Sequence, residues 1–255
     1  MSLSLQIGSM RVLVFPDVGT LAVAAAEDAA AAINTAIESR GRANVMLATG
    51  NSQLSFLDAL TRRPDVDWSR VVGFHMDEYV GMTADHPGSF RRYMRERVVD
   101  RVHPLEFHEL AGDVADPDEE AARYAGLLRD HPLDLCCLGI GENGHLAFND
   151  PGVADFDDPY DVKTVKLDAA CRAQQVGEGH FATVHDVPTH ALTVTIPALL
   201  RASRVVAIVP EARKAEPVRR ALRGPVTTAC PASILRTQRH ATLYLDPGSS
   251  SLLDP

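Results

Sequence analysis

The chain has no run of about 18 or more apolar residues, the length needed to span a bilayer. It has no Cys-x-x-Cys pair and no His-Glu-x-x-His segment, so the familiar zinc patterns are missing and a zinc site is not expected. Its four cysteines are Cys136, Cys137, Cys171 and Cys230; the first two are adjacent in an apolar run, which fits buried thiols better than a disulfide framework. Lysine is scarce, with only Lys163, Lys166 and Lys214 among 25 basic residues. Against 34 acidic residues this leaves a net charge of −9, which excludes a general nucleic-acid binder because such proteins need a cationic face. It does not exclude a small anionic substrate, whose binding depends on local donors. The N-terminus shows no basic stretch followed by an apolar one, so no secretory leader is expected and a cytoplasmic location is. Residues 1–9, MSLSLQIGS, read as a tag remnant or a disordered lead-in.

What is present is a core-forming chain of 255 residues, 45% hydrophobic and 23% charged, a size that one α/β domain over residues 1–255 can use. Apolar strand-like runs at 10–15, 44–48, 70–76, 133–138, 204–209 and 241–245 alternate with helical patterns at 20–40, 53–62, 89–98, 117–130, 196–201 and 211–223. Thr20 is a candidate N-cap and Pro117 suits a first helical turn. Residues 161–167 alternate like an edge or antiparallel strand, and 191–195 suggest another. Continuous apolar strands separated by helices predict a mainly parallel central sheet with helices on both faces.

Ligands of such sheets bind beyond the carboxyl ends of the strands. Three post-strand segments and one lysine stand out there. Thr49, Gly50, Asn51 and Ser52 lead into a helix, where exposed backbone N–H groups and the helix dipole suit a phosphate, although an ordinary capped turn has the same composition. Asp77 and Glu78 end the third strand, and alternation lets only one of them face a cleft, where it could act as a general base. A metal reading from His75, Asp77 and His145 lacks any dense ligand spacing. Residues 139–152, GIGENGHLAFNDPG, match G-x-G-x-x-G, but Pro151 breaks the helix a dinucleotide site requires. What remains is a glycine-rich loop offering His145, with Asn143, Gly144 and Asp150 beside it. Lys214 falls in the first turn of a helix, where a cation is unfavourable unless an anion binds.

Taken together, FHMDEYVGM and HPGSF within 74–90, GIGENGHLAFNDPG at 139–152 and ALTVTIPALL at 191–200 resemble the glucosamine-6-phosphate deaminase/isomerase family, and the resemblance runs from about 12 to 253. It implies a Rossmann-like α/β fold and conversion of an amino-sugar 6-phosphate to fructose 6-phosphate and ammonia. It implies that Asp77 is the base moving a proton between C2 and C1, that His145 assists ring opening, and that no metal or organic cofactor is needed. Asp150 stands where the family often has glutamate, and Asn143 where some members have aspartate. Lys214 and the 49–52 loop fall on phosphate-binding segments. The expected partner is a phosphorylated amino sugar, with no nucleic acid or membrane, and the chain is a monomer or a homo-oligomer.

The departures carry expectations of their own. Asp150 is one methylene shorter than glutamate, so its bond to His145 is expected to be lost or water-mediated. The stretch 174–179, QQVGEG, lacks the family's phosphate-binding arginine, which leaves Arg172 as the candidate substitute. Asp155, Asp157, Asp158 and Asp161 make 153–161 acidic where allosteric members bind an anionic activator, so no activation by N-acetylglucosamine 6-phosphate is expected. Galactosamine 6-phosphate as substrate, a 6-phosphogluconolactonase and a non-enzymatic sugar-phosphate sensor stay open as alternatives.

Overall fold

The computed structural model describes residues 3–179 and 181–253. In chain order its first half holds β1 (Leu3–Ile7), β2 (Met10–Val14), α1 (Val18–Arg40), β3 (Ala43–Leu47), α2 (Leu54–Thr61), β4 (Val71–His75), β5 (Asp77–Tyr79), α3 (Phe90–Met94), α4 (Asp100–Val102) and β6 (Glu106–His108). The second half holds α5 (Pro117–Asp130), β7 (Leu135–Leu138), β8 (Val162–Lys166), α6 (Ala169–Gly177), β9 (His190–Val194), α7 (Ile196–Leu200), β10 (Arg204–Val209), α8 (Ala215–Arg223) and β11 (Ala241–Leu245).

Eight strands form the central sheet in the order β1-β2-β11-β10-β7-β3-β4-β6. Every pairing in it is parallel except that of β1 with β2. Side chains of successive residues point to opposite faces, so Cys136 and Cys137 enter different cores. One core holds apolar side chains of α5, α7 and α8, the other those of α1 and α2. The buried face of α1 is mostly alanine (Ala22, Ala25, Ala26, Ala29, Ala30 and Ala36), which keeps helix propensity high and lets the helix lie close to the sheet. This is the Rossmann-like α/β architecture expected.

Three local expectations are corrected. Leu3–Ile7 is no lead-in but a strand, held in register against β2 from Leu3 opposite Val14 to Ile7 opposite Met10; Met1 and Ser2 lie outside the described residues. The segment is half-exposed because it is an edge strand, and its composition alone does not reveal the partner. The N-cap of α1 is Asp17, whose carboxylate accepts from the Thr20 amide, so Thr20 is the third residue of the helix. The helix expected over 89–98 begins as α3 and continues as a π-helical turn at Arg95–Val99.

A smaller antiparallel sheet, β5-β9-β8, sits over the carboxyl end of β4. Beneath it Tyr79, Phe90, Phe148, Val165, Leu167, Cys171 and Phe181 make a third apolar cluster. The chain leaves β3 toward β4 and leaves β7 toward β10, in opposite directions across the main sheet. The crevice between the ends of β3 and β7 is therefore the switch point of the fold, where a ligand site is expected.

Candidate active site

That crevice is a cleft lined by Thr49, Gly50 and Ser52 after β3, Met76 and Asp77 after β4, Gly139, Gly141 and His145 after β7, and Lys214 after β10. Four successive parallel strands thus each deliver part of it. Gln174, Gln175 and Glu178 of the α6 segment close one side.

Asp77 begins β5, opposite Thr193 of β9, and is 6% exposed. Burial, and then the neighbouring Glu78 carboxylate, hold its pKa well above the usual carboxylate range. Its Oδ1 is buried and has no hydrogen-bond partner among the described residues. An unpartnered buried carboxylate oxygen costs stability, so some other demand holds it there. Glu78 points the other way and accepts from Ser89 Oγ at 2.6 Å, the Tyr79 amide at 2.9 Å and the Arg91 amide at 3.0 Å. It fastens the start of α3, leaving Asp77 alone at the cleft.

His145 is oriented from behind. Its Nδ1 lies 2.8 Å from Asn143 Oδ1 and 3.0 Å from Asp150 Oδ1. Both of these oxygens only accept, so Nδ1 carries the proton and Nε2 is the basic nitrogen of the neutral ring. Asn143 Nδ2 donates in turn to Asp150 Oδ1 at 2.9 Å and to Asp168 Oδ2 at 3.1 Å. Asp150 is 1% exposed. Burial pushes its pKa up, but the hydrogen bond and charge of His145, the Asn143 amide and the Asp168 backbone outweigh this, and the net direction is down. The expectation that a shortened carboxylate would lose His145 is corrected: the turn at 150–154 carries Asp150 close enough for direct contact.

The loop geometry explains two of the glycines. A Cβ on Gly141 would meet the His145 ring at 2.1 Å. Gly144 has φ +92, and a Cβ there would lie 2.9 Å from Cys230 Sγ. Gly144 therefore shapes the loop and, contrary to expectation, does not line the cleft. Two non-glycine residues with positive φ flank the site: Ala147 (φ 50), which lines it, and Glu211 (φ 83), which starts the turn carrying Lys214. Such conformations cost roughly 1–3 kcal/mol each and persist where the surroundings enforce them.

Lys214 lines the cleft together with Thr49, Gly50 and Ser52 of the 49–52 loop. Lys214 is 2% exposed; burial lowers its pKa, the Glu178 carboxylate raises it, and the adjacent Arg213 lowers it. Asn51 belongs to the same loop, but its side chain turns aside to donate to the Glu178 carbonyl at 3.1 Å.

Arg172 is corrected outright. Its guanidinium donates to the carbonyls of Val184 (2.5 Å) and Val187 (2.8 Å), and it does not line the cleft. Through those two carbonyls it stabilises the 181–189 segment. The weak His75 metal reading also fails. His75 Nε2 accepts from the Leu110 amide at 2.8 Å, and burial lowers its pKa to about 3, so it is a neutral core residue. Among the described residues, the His145, Asp150 and Cys171 donor atoms are the one trio gathered closely enough to hold a metal ion.

Sequence reasoning missed Gln174, Gln175 and Glu178. Glu178 Oε1 accepts from Gln174 Nε2 at 2.9 Å and from Arg213 Nη1 at 3.2 Å, beside Lys214. The QQVGEG stretch was visible only as the absence of an arginine; its helix, α6, is short and follows a strand of the small antiparallel sheet, outside the strand–helix alternation of the main sheet.

Comparison with known proteins points one way. A family model described as glucosamine-6-phosphate isomerases/6-phosphogluconolactonase matches residues 16–244. The chain is 39% identical over 207 residues to a glucosamine-6-phosphate deaminase of Exiguobacterium sibiricum, covering 81% of this chain and 80% of that one. It is 34% identical over 214 residues to one of Listeria innocua, covering 84% and 89%. Its fold is similar to that of a monomeric glucosamine-6-phosphate deaminase (TM-score 0.86, 28% identity, covering 94% and 99%). A 6-phosphogluconolactonase of Shewanella baltica has TM-score 0.75 at 21% identity, covering 91% and 94%, a likeness of fold alone.

Proposed function

Since the chain belongs to the family of glucosamine-6-phosphate isomerases and 6-phosphogluconolactonases, we propose that it converts glucosamine 6-phosphate and water to fructose 6-phosphate and ammonia. The observation that carries this is that Asp77 and His145 line one cleft beside Lys214 and the 49–52 loop. The substrate phosphate sits on the Lys214 ammonium and the N–H groups of the loop. Anchoring it there holds the reacting carbons against Asp77 and His145, which is how remote binding aids rate.

His145 Nε2 relays the proton that moves to the ring oxygen as the pyranose opens. Asp77 then takes the proton from C2, leaving an enolamine across C1 and C2, and returns it to C1. The C–H bond at C2 breaks and a new one forms at C1, so one carboxylate serves both ends. The product is an imine at C2. Water adds to it and ammonia leaves, giving the ketose. Asn143 and Asp150 hold the His145 tautomer throughout. Each such acid–base group typically contributes about 100- to 10,000-fold.

The lactonase alternative lacks a use for Asp77, because lactone hydrolysis moves no proton between carbons. The test is a product assay on three substrates. Ammonia release from glucosamine 6-phosphate, faster than from galactosamine 6-phosphate, supports the reading. Acid release from 6-phosphogluconolactone without ammonia from either amino sugar overturns it.

A further inference from the structure

We propose that His145, Asp150 and Cys171 form an inhibitory site for a thiophilic divalent cation, zinc above all, at the back of the cleft. The three donor atoms lie within 4.8 Å of one another and all three residues are buried. They come from separate elements: the glycine loop after β7, its following turn, and the first turn of α6. Zinc takes this set of imidazole nitrogen, carboxylate oxygen and thiolate sulfur, with ligand bonds of about 2.0–2.3 Å. The charges also close. One carboxylate and one thiolate neutralise a divalent cation, which lets a site shut away from water hold it.

Without a cation Cys171 is a neutral thiol. Burial, followed by the Asp150 and Asp168 carboxylates, pushes its pKa up, and it hydrogen-bonds Asp150. A bound cation displaces the thiol proton, so affinity rises with pH. Asp168 already fixes this cysteine by accepting from its amide at 2.6 Å.

Coordination and catalysis exclude each other at His145. In the working tautomer Nδ1 carries the proton and faces Asn143 and Asp150, and Nε2 can accept a proton at the cleft. A cation on Nδ1 replaces that proton and leaves the neutral ring protonated on Nε2. The ring then has no basic nitrogen for the relay. The site is therefore one that stops turnover reversibly, and it fills from the cleft because His145 lines it. Cys171 itself does not line the cleft, and serine there keeps a hydrogen-bond donor to Asp150 while giving up the sulfur.

The test uses chelator-treated full-length protein and the variants Cys171→Ser and Cys171→Ala, each checked by thermal melting. Zinc is measured by equilibrium dialysis and metal analysis, and cobalt by its thiolate-to-metal absorption in the near ultraviolet. Zinc inhibition is read from ammonia release. Wild type is expected to bind one zinc, to show the cobalt–thiolate band, and to lose activity that a chelator restores. Both variants are expected to lack the band and to need at least about tenfold more zinc for half-inhibition. Zinc-free turnover of Cys171→Ser is expected to match wild type. Equal zinc sensitivity in wild type and variants, or no thiolate band in wild type, overturns the proposal. Should one variant fail to fold, the other and the wild-type cobalt spectrum decide. The inhibition measurement rests on the deaminase reading; the zinc and cobalt measurements do not. A chain that shows the Cys171-dependent band yet releases no ammonia would sink that reading and support this site.

Discussion

The His145 ring lies against Gly141 so closely that a methyl group on residue 141 would overlap it, at 2.1 Å from Cε1 and 2.2 Å from Nε2. The same two residues are joined by a backbone hydrogen bond of 3.0 Å from the Gly141 amide to the His145 carbonyl. Gly141→Ala is therefore expected to push the imidazole off its seat while the sheet below stays folded. A displacement near 1 Å can cost on the order of a hundredfold in rate. Turnover should fall by about that factor with an unchanged circular dichroism spectrum. Full activity in this variant would mean that the ring position does not matter.

Asp77→Asn removes the proposed base, and turnover should drop by about 100- to 10,000-fold. Stability should move the other way. The folded-state pKa of Asp77 is raised by burial and then by Glu78, so folding favours its protonated form. That contribution is fully present below the unfolded value of about 3.9 and is lost as pH rises toward the folded value. Asparagine cannot ionise, so the variant should gain Tm over wild type progressively from about pH 4 to neutrality. Melting curves at several pH values check this; a Tm difference independent of pH would contradict it.

Asp150 carries the opposite sign. Its net shift is downward, because hydrogen bonds from His145, Asn143 and the Asp168 backbone outweigh its burial. Its stabilising contribution is present above about pH 3.9 and disappears as pH falls through the folded value. Asp150→Asn should be less stable than wild type near neutrality, with the gap closing in acid. Because the asparagine can no longer hold the Nδ1 proton by charge, kcat should fall by on the order of a hundredfold with KM nearly unchanged.

Lys214 and Arg172 separate binding from support. Lys214→Ala removes the proposed charge-assisted contact to phosphate, of about 1.5–3 kcal/mol, so KM should rise about 10- to 100-fold and inorganic phosphate should lose its competitive inhibition. Arg172→Ala should leave KM within about twofold of wild type. It should instead lower Tm and speed proteolysis near residues 181–189, because Arg172 ties down the Val184 and Val187 carbonyls. A large KM effect in Arg172→Ala would restore it as a phosphate ligand.

Glu178 places a negative charge beside the proposed phosphate seat, with its carboxylate 3.2 Å from Arg213 Nη1. Glu178→Gln keeps the shape and removes the charge. Its KM for the sugar phosphate should fall, by an amount that shrinks as salt is raised. An increase in KM would show that Glu178 helps to bind the substrate.

The sequence by itself determined the sheet-and-helix alternation and the segments that end at its ligand-binding edge. Apolar runs such as LCCL and helix signals such as Pro117 act over a few residues, so they can be read locally. Asp77, His145, Asn143 and Lys214 were legible for the same reason: each follows a strand at a place where polar residues are otherwise costly. Only the tertiary structure decided which of them face each other. The strand order puts β3 beside β7, and no local pattern encodes that adjacency. It also decided that Asp150 reaches His145, that Arg172 turns away, that Leu3–Ile7 finds β2, and that Cys171 of α6 meets a histidine 26 positions earlier in the chain. Contacts of this kind depend on where whole elements pack, and packing is settled by the buried surface of the entire chain rather than by neighbours in sequence.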